Sequence, residues 1–421
     1  MVVLLMALPA RANRLFTSGY ETNDLTATEW TSIDTSASPT VVTTPTGCGS
    51  APHSGTYALK VSTGATPDTI TVRRTSASTY TSGTLWARVY FCITDLPNTL
   101  PQDIFSLGNS SSTESGNLIS VQVATGPILR ARNRLTSTDT DGATTLSLNT
   151  WYMVELAVGI SDTVGTIDVR LDGASEISVS GVDTLGSVGY SRLYVGVGQA
   201  ASESANYDVY YDDVAWNDDQ GTFETSWPGA GKIFRVTAAS DNTVTWTKTG
   251  ANCSGTTNTD CVDDLGLPDD SSGYNTSSTA NDEDRLNKTA LGAEVPSDAD
   301  MRLIHVFSRW GGGGSTGTRT GRMLLWDDAS AQTNGPTTTG ANSCDFNGWP
   351  GILPTSNLLV FDLGTRSKAT VDDADFDLGY EPLNSNECRV TDLWGNVEWI
   401  EAPAAPAGCG TTMALMGAGC N

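Results

Sequence analysis

Residues 83–91, GTLWARVYF, decide the fold class, because apolar and polar side chains alternate along them. An alternation with a period of two is the pattern of a β-strand that buries one face. Short segments of this kind, separated by turn residues, recur from Leu15 to about Asp218 and predict an antiparallel β-sandwich. In 83–91 the side expected to face the core carries Leu85, Ala87, Val89 and Phe91, and the other side carries Trp86, Arg88 and Tyr90.

Five stretches of the first half carry a family resemblance. They are Gly19-Tyr20-Glu21, SGTYALKV at 54–61, NTWYMVELAV at 149–158, IDVRLDG at 167–173 and YYDDVAWND at 210–218. Together they resemble the concanavalin A-like, or laminin G-like, jelly-roll superfamily. The resemblance covers roughly half of the chain. It implies the fold and leaves the ligand open, because one fold carries many functions.

The length of the chain predicts two domains. A sequence of 421 residues is too long for one ordinary core. We therefore predict an all-β protein with two antiparallel β-sandwich (jelly-roll) domains in tandem. The expected parts are an apolar N-terminal arm or remnant signal peptide at 1–14, a concanavalin A-like jelly-roll at 15–218, a linker at 219–231, a second β-sandwich at 232–401 and a Pro/Ala/Gly-rich tail at 402–421.

Charge and hydrophobicity exclude two classes of partner. Acidic residues outnumber basic ones by 48 to 23, and a net charge of -25 would repel a phosphate backbone, so no nucleic-acid partner is expected. The apolar run Val2–Pro9, followed by Ala10-Arg11-Ala12, fits either a signal peptide without its basic segment or an ordinary arm. The run is shorter than the roughly 20 residues that span a bilayer, so no membrane partner is expected.

The eight cysteines favour disulfides, because the count is even and the chain is rich in Thr and poor in Lys. A sequential pairing would keep every bridge within one region, although the spacing leaves other pairings and reduced thiols open. That pairing joins Cys48 with Cys92, Cys253 with Cys261, Cys344 with Cys388, and Cys409 with Cys420.

Catalytic signatures are missing from the sequence. Sandwich glycosidases need two carboxylates beside the scissile bond, but Glu155 stands alone on its predicted strand and is expected to be solvated. The two histidines, His53 and His305, lie in no catalytic motif. The sequence therefore predicts a protein that is not an enzyme.

Two kinds of binding residue stand out. Two groups of acidic residues could bind structural Ca2+, and no other cofactor is expected. Neither group has the spacing of an EF-hand, so the alternative is that they are solvated acids at strand ends. The candidate Ca2+ ligands are Asp208, Asp212, Asp213 and Asp218 in one group and Asp372, Asp373, Asp375 and Asp377 in the other. The candidate sugar-stacking residues, with burial in the core as the alternative, are Trp86, Tyr90, Trp394 and Trp399.

A second resemblance spans the junction and the second half. The stretches YYDDVAWNDDQGTFETSWPG at 210–229, TWTKTG at 245–250, DDSSGYNTSSTANDED at 269–284 and ECRVTDLWGNVEW at 387–399 resemble two-domain virion structural proteins of tailed bacteriophages. This resemblance implies a capsid decoration, fibre or tail component at the virion surface or in the extracellular space. Its expected partners are copies of itself, other virion proteins and a cell-surface glycan. The sandwich, the leader and the cysteines favour the alternative of a secreted bacterial carbohydrate-binding or adhesion protein.

Overall fold

The computed structural model describes most of the chain, and every structural statement below concerns the residues it describes. These are 14–25, 29–35, 39–62, 70–97, 101–109, 117–124, 126–197, 208–220, 223–251, 253, 255, 257–263, 272–312, 319–328, 331–334, 338–340, 359–364 and 366–401. They form antiparallel sheets that build sandwich-like bodies, which confirms the predicted all-β class. The predicted N-terminal arm and C-terminal tail lie outside the described residues, apart from Arg14.

The N-terminal sandwich consists of two sheets, with strands numbered in chain order. Its large sheet has the order β13 (Ala174–Val182), β12 (Gly165–Leu171), β11 (Tyr152–Ile160), β6 (Gly83–Ile93), β15 (Asp208–Asp218), β4 (Ala58–Ser62) and β3 (Thr40–Val42), and β1 (Arg14–Ser18) also pairs with β15. The facing sheet has the order β10 (Thr138–Thr145), β9 (Ile128–Asn133), β8 (Asn117–Val123), β7 (Gln102–Gly108), β14 (Tyr190–Val197), β5 (Ile70–Tyr80) and β2 (Ser32–Thr35).

The core of this sandwich contains the alternating side chains predicted from residues 83–91. Leu85, Val89 and Phe91 are at most 1% exposed and belong to one hydrophobic cluster. Val195 of the facing sheet belongs to the same cluster. Removing this apolar surface from water, at about 25 cal/mol per Å2, holds the two sheets together.

The C-terminal sandwich is an eleven-stranded assembly. Its main path runs β17 (Thr247–Gly250), β18 (Gly273–Ser277), β26 (Cys388–Ile400), β16 (Lys232–Val244), β19 (Asp284–Lys288), β25 (Asp377–Pro382), β21 (Arg319–Asp328) and β22 (Ala331–Asn334). Three further strands branch from it: β20 (Asp300–Gly312) on β26, β24 (Leu359–Asp362) on β20, and β23 (Thr338–Gly340) on β21.

Strand β16 connects the two layers of this second body. Its first half, residues 232–237, pairs with β26, and its second half, from Ala238 onward, pairs with β19. A separate hydrophobic cluster, which includes Leu286, Ile304 and Val397, forms its core. The described helical segments are a 3-10 turn at Thr259–Cys261 and helix α1 (Lys368–Val371). Two separate cores accord with the two domains expected from the length, while the predicted domain boundaries stay predictions.

Disulfides connect the cysteines in the predicted pairs where both partners are described. Cys48 is bonded to Cys92 and Cys253 to Cys261. Cys388 is also disulfide-bonded, and its partner lies outside the described residues, as do Cys344, Cys409 and Cys420. Such bonds persist in oxidising compartments and indicate a secreted or extracellular protein. Among the described residues, no helix is both long and apolar enough to cross a membrane.

Candidate functional site

The outer face of the large sheet carries a row of alternating charges. The strand register places Glu155 of β11 between Arg170 of β12 and Arg88 of β6. Glu155 points away from the core because its neighbours Val154 and Leu156 point into it. The expected solvation of Glu155 is nevertheless wrong: the residue is 1% exposed.

Residues 224–233, which we call the strap, cover this row. The Gly229 N–H donates to Glu155 Oε1 over 2.6 Å, and the Gly229 carbonyl accepts from Arg88 Nη1 over 2.9 Å. The ring of Trp227 lies 4.0 Å from the guanidinium carbon of Arg170. Burial under the strap raises the pKa of Glu155, against the lowering effect of the Gly229 hydrogen bond and of Arg88. Part of the predicted linker is therefore a packed element.

Buried ion pairs fasten the second sandwich to the first beside the strap. Glu398 of β26 contacts Arg88 over 2.7 Å and also pairs with Arg14, and all three side chains are fully buried. Burial by itself would raise the pKa of Glu398, but the guanidinium groups of Arg14 and Arg88 hold that pKa below its ordinary value. Removing one partner from such a buried set leaves an uncompensated charge, so the junction depends on all of them.

His53 lies beside this junction and contacts two side chains suited to proton transfer. Its Nδ1 is 2.5 Å from Asp213 Oδ2, and its ring stacks on that of Tyr90 with the centroids 3.7 Å apart. The side chain of His53 is 19% exposed, whereas that of Asp213 is fully buried. A ring nitrogen that faces a carboxylate donates to it, so we assign the proton of this hydrogen bond to Nδ1. Nε2, which has no hydrogen-bond partner among the described residues, is left to accept a proton.

A distortion of β15 aims Asp213 at His53. The pairing of β15 with β6 shifts register between Asp212 and Ala215, and Asp213 has a φ of 46°. A bulge redirects side chains, and a left-handed backbone at a residue other than glycine is often a functional feature. Both carboxylates consequently face one loop: Asp212 accepts from the Ser54 N–H over 3.1 Å, and Asp213 accepts from the Ser54 hydroxyl over 2.7 Å. Simple alternation predicts them on opposite faces, and the bulge removes that alternation.

The C-terminal sandwich contributes directly to this arrangement. The Ile233 N–H, in the first residues of β16, donates to Asp213 Oδ1 over 2.7 Å. The Gly231 N–H faces the hydroxyl of Tyr90 and lowers its pKa. Burial, together with the charge of Asp213, raises the pKa of Tyr90 to about 12, against the effect of Arg88. The Tyr90 hydroxyl is therefore protonated at neutral pH.

The aromatic residues predicted to stack on sugars are not brought together. Trp394 and Trp399 are 3% and 2% exposed, and Trp394 stacks on Phe307 with the ring centroids 5.1 Å apart. Their burial leaves no ring face for a ligand. Trp86 is half-buried on the outer face of the large sheet, and Tyr90 stands under His53. Trp151, which sequence reasoning did not single out, is half-buried with its ring centroid 6.0 Å from that of His53.

The first group of predicted Ca2+ ligands is dispersed along β15. Asp208 pairs with Lys60 over 2.9 Å at one end of the strand, and Asp218 accepts from the Tyr80 hydroxyl over 2.7 Å at the other. A strand rises about 3.3 Å per residue, so these two aspartates are on the order of 30 Å apart.

The second group is also committed to other contacts. Asp377 pairs with Arg285 over 2.5 Å, Asp372 accepts from the Leu291 N–H over 2.7 Å, and Asp373 accepts from the Asp375 N–H over 3.0 Å. Within the described part of the chain, no three His, Cys, Asp or Glu side chains converge on a point that could hold a metal ion. The structural Ca2+ expected from the sequence stays a prediction.

Sequence reasoning therefore named Tyr90, Asp212 and Asp213, but with other roles, and it set His53 aside. The feature of the sequence that could have pointed to this site is the Asp212-Asp213 pair inside a strand, because two adjacent acids interrupt an apolar–polar alternation. Such an interruption in a strand marks a bulge or a functional site.

Comparison with known proteins gives structural neighbours. No protein-family model matches the sequence, and no curated protein matches it. Among solved structures, the chain is similar to a cellulose-induced protein, with 14% identity over 51% of this chain and 99% of that chain and a TM-score of 0.37. It is also similar to an endo-beta-1,4-glucuronan lyase from the fungus Trichoderma reesei, with 17% identity over 50% of this chain and 100% of that chain and a TM-score of 0.36. A third is domain 4 of an extracellular arabinanase from Geobacillus stearothermophilus, with 12% identity over 49% of this chain and 93% of that chain and a TM-score of 0.30.

These neighbours correct two predictions made from the sequence. The all-β, jelly-roll part of the family resemblance agrees with them, whereas the resemblance to phage proteins gains no support. The matched structures include a glucuronan lyase, an alginate lyase and one domain of an arabinanase, and all three names are those of carbohydrate-processing proteins. The prediction of a phage virion structural protein and the prediction that the chain is not an enzyme are both wrong on this finding.

Proposed function

We propose that this protein is a secreted carbohydrate-active enzyme that cleaves a polysaccharide by proton transfer at His53 and Tyr90. The observation that carries the proposal is the position of His53, with Nδ1 2.5 Å from the Asp213 carboxylate and its ring stacked on Tyr90. A histidine oriented by a buried carboxylate is a common general base. The names of the matched structures suggest which substrates to test, and the residues of this chain supply the chemistry.

The groups at this site favour elimination over hydrolysis. Hydrolysis by a carboxylate pair needs two acids that flank the sugar bond. Asp212 and Asp213 are fully buried and accept hydrogen bonds from Ser54, so they are not placed to flank a substrate. His53 and Tyr90 instead provide one proton acceptor and one proton donor.

The proposed reaction takes place on a uronic acid unit, whose carboxylate acidifies the neighbouring C–H. His53 Nε2 accepts that proton, and the released electron pair forms a carbon–carbon double bond. The bond from the next carbon to the glycosidic oxygen breaks, and Tyr90, whose pKa is raised to about 12, gives its proton to the leaving oxygen. The products are a sugar chain with a free hydroxyl and a chain with an unsaturated end.

Salt screening lessens the repulsion between an anionic substrate and the net charge of -25. At physiological salt, charges farther away than about 8 Å are largely screened. Lys232, half-buried and next in sequence to Ile233, pairs with Glu401 over 2.5 Å, so these two charges offset each other beside the strap. Trp151 adds a half-buried ring of the kind on which sugar rings pack.

The test is depolymerisation by the full chain. Alginate, glucuronan, polygalacturonate and hyaluronan are incubated with the protein, and ultraviolet absorbance reports unsaturated ends. Arabinan, which has no carboxylate, is the control polymer. We expect unsaturated products from at least one polyuronate and none from arabinan. General acid–base catalysis contributes about 100- to 10,000-fold, so His53→Asn and Tyr90→Phe should each lower the rate by at least about 100-fold.

Tyr152→Phe is the matched control, because Tyr152 is half-buried on the neighbouring strand and its hydroxyl accepts from the Ser147 N–H over 2.8 Å. It should keep the wild-type rate. Full activity in His53→Asn, or no cleavage of any of these polymers, would contradict the proposal. New reducing ends without unsaturation would replace elimination by hydrolysis.

A further inference from the structure

The strap forms a wall along one side of the candidate site. It contacts four neighbouring strands of the large sheet in turn: β12 through Trp227 and Arg170, β11 and β6 through Gly229, and β15 through Ile233 and Asp213. It therefore runs across the strands. The outer face is divided into a half that carries Trp86 and a half that carries Tyr90 and His53.

The strap is held at several points along its length. Glu224 pairs with Arg14 over 2.9 Å and with Arg302 over 2.6 Å. Arg302 also donates to the Pro228 carbonyl, and Asn217 Nδ2 donates to the Ser226 carbonyl over 2.8 Å. A segment with this many anchors to both sandwiches is an ordered wall in the folded protein.

The loop that carries His53 forms a second wall, on the side of β15, where Ser54 contacts Asp212 and Asp213. The loop that carries His53 is bonded to β6 through the Cys48–Cys92 disulfide. Its later residues are held by Glu21, whose Oε1 accepts from the Thr56 and Tyr57 N–H groups, each over 2.9 Å. Because the ring of His53 stacks on Tyr90, nothing can lie between this loop and the sheet at that point.

The strap and this loop bound the site on two sides, and the half-buried Trp151 lies beside His53 with the ring centroids 6.0 Å apart. A polysaccharide that reached His53 and continued past it toward β15 would have to replace the buried contacts of Asp213 with Ser54 and Ile233. From these contacts we infer that the site accepts the end of a polysaccharide chain and not its middle. This inference rests on the proposed function and adds the position of attack: the enzyme removes short fragments from the ends of polysaccharide chains.

The test follows product size over time, using the full chain with alginate, glucuronan, polygalacturonate and hyaluronan. Attack at chain ends releases short oligosaccharides from the first time points while the mean length of the remaining polymer changes little. Attack within chains lowers the mean length severalfold before short products accumulate. The first pattern supports the inference. The second overturns it and leaves the proposed function intact, whereas no cleavage of any polymer overturns both.

A pair of arginine variants tests whether the strap is the wall. Arg302→Ala removes two contacts of the strap, while Arg322→Ala removes a pair with Glu381 on the same sandwich, and the two side chains have similar exposures of 22% and 24%. We expect Arg302→Ala to raise the share of long products at least about twofold and Arg322→Ala to leave the product sizes unchanged. Equal product sizes in the two variants would count against the strap as the wall.

Discussion

Replacing Glu21 with Gln should stabilise this protein in alkaline solution and change little in acid. Glu21 is 5% exposed and holds the His53 loop through the Thr56 and Tyr57 N–H groups. A glutamine keeps the accepting oxygen and loses the charge. Burial raises the pKa of Glu21 from 4.5 to about 8, and Asp213 adds to this, while the two backbone hydrogen bonds and Arg235 oppose it.

The sign and size of the effect follow from linkage. The folded state binds the proton of Glu21 more tightly than the unfolded state does, so stability is at its full value below the ordinary pKa of 4.5 and falls as the pH rises toward about 8. Each pH unit between the two pKa values is worth about 1.36 kcal/mol, so the loss is at most about 5 kcal/mol. Glu21→Gln should recover most of this loss.

The assay is urea unfolding of both proteins at about pH 5 and about pH 9. The wild type should lose more stability than Glu21→Gln between these conditions. Glu176→Gln is the control. Burial alone would raise the pKa of Glu176, but the hydrogen bonds from Thr144 outweigh burial and lower that pKa. The Glu176→Gln variant should therefore gain no stability in alkali. If wild type and Glu21→Gln lost stability in parallel, the carboxyl would be ionised in both states and the reasoning from burial would be refuted.

Two further predictions concern the bonds that hold the sandwiches. Replacing Cys48 and Cys92 together by Ser should lower the free energy of unfolding by about 2–5 kcal/mol. The same change at Cys253 and Cys261 should cost less, because the first disulfide closes a loop of 44 residues and the second a loop of 8. Thermal unfolding of the two double variants checks this order, and the opposite order would contradict it. Glu398→Gln should cost about 3–5 kcal/mol in chemical unfolding at neutral pH, since it leaves Arg14 and Arg88 buried without their carboxylate. This contribution is present above the ordinary carboxyl pKa and is lost as the pH falls below it, because the arginines lower the pKa of Glu398; equal stability of wild type and variant at neutral pH would show that the pair adds nothing.

The candidate site was partly visible in the sequence. Tyr90 was singled out as an aromatic on the outward face of β6, and Asp212 and Asp213 as adjacent acids. Their combination was not predictable, because His53 and Asp213 are 160 residues apart and a bulge decides where Asp213 points. No local pattern encodes a contact between two such distant segments.

The sequence by itself determined which side of a regular strand, one without a bulge, faces a core. Alternation assigns Val154 and Glu155 to opposite faces of their strand whatever packs against them, since successive side chains of a strand point in opposite directions. The tertiary structure decided what covers the outward face. Glu155 points outward as expected, yet it is buried, because the strap and the second sandwich dock on that face through Gly229 and Glu398. Docking depends on the fit of two whole surfaces, and that fit exists once both sandwiches have formed.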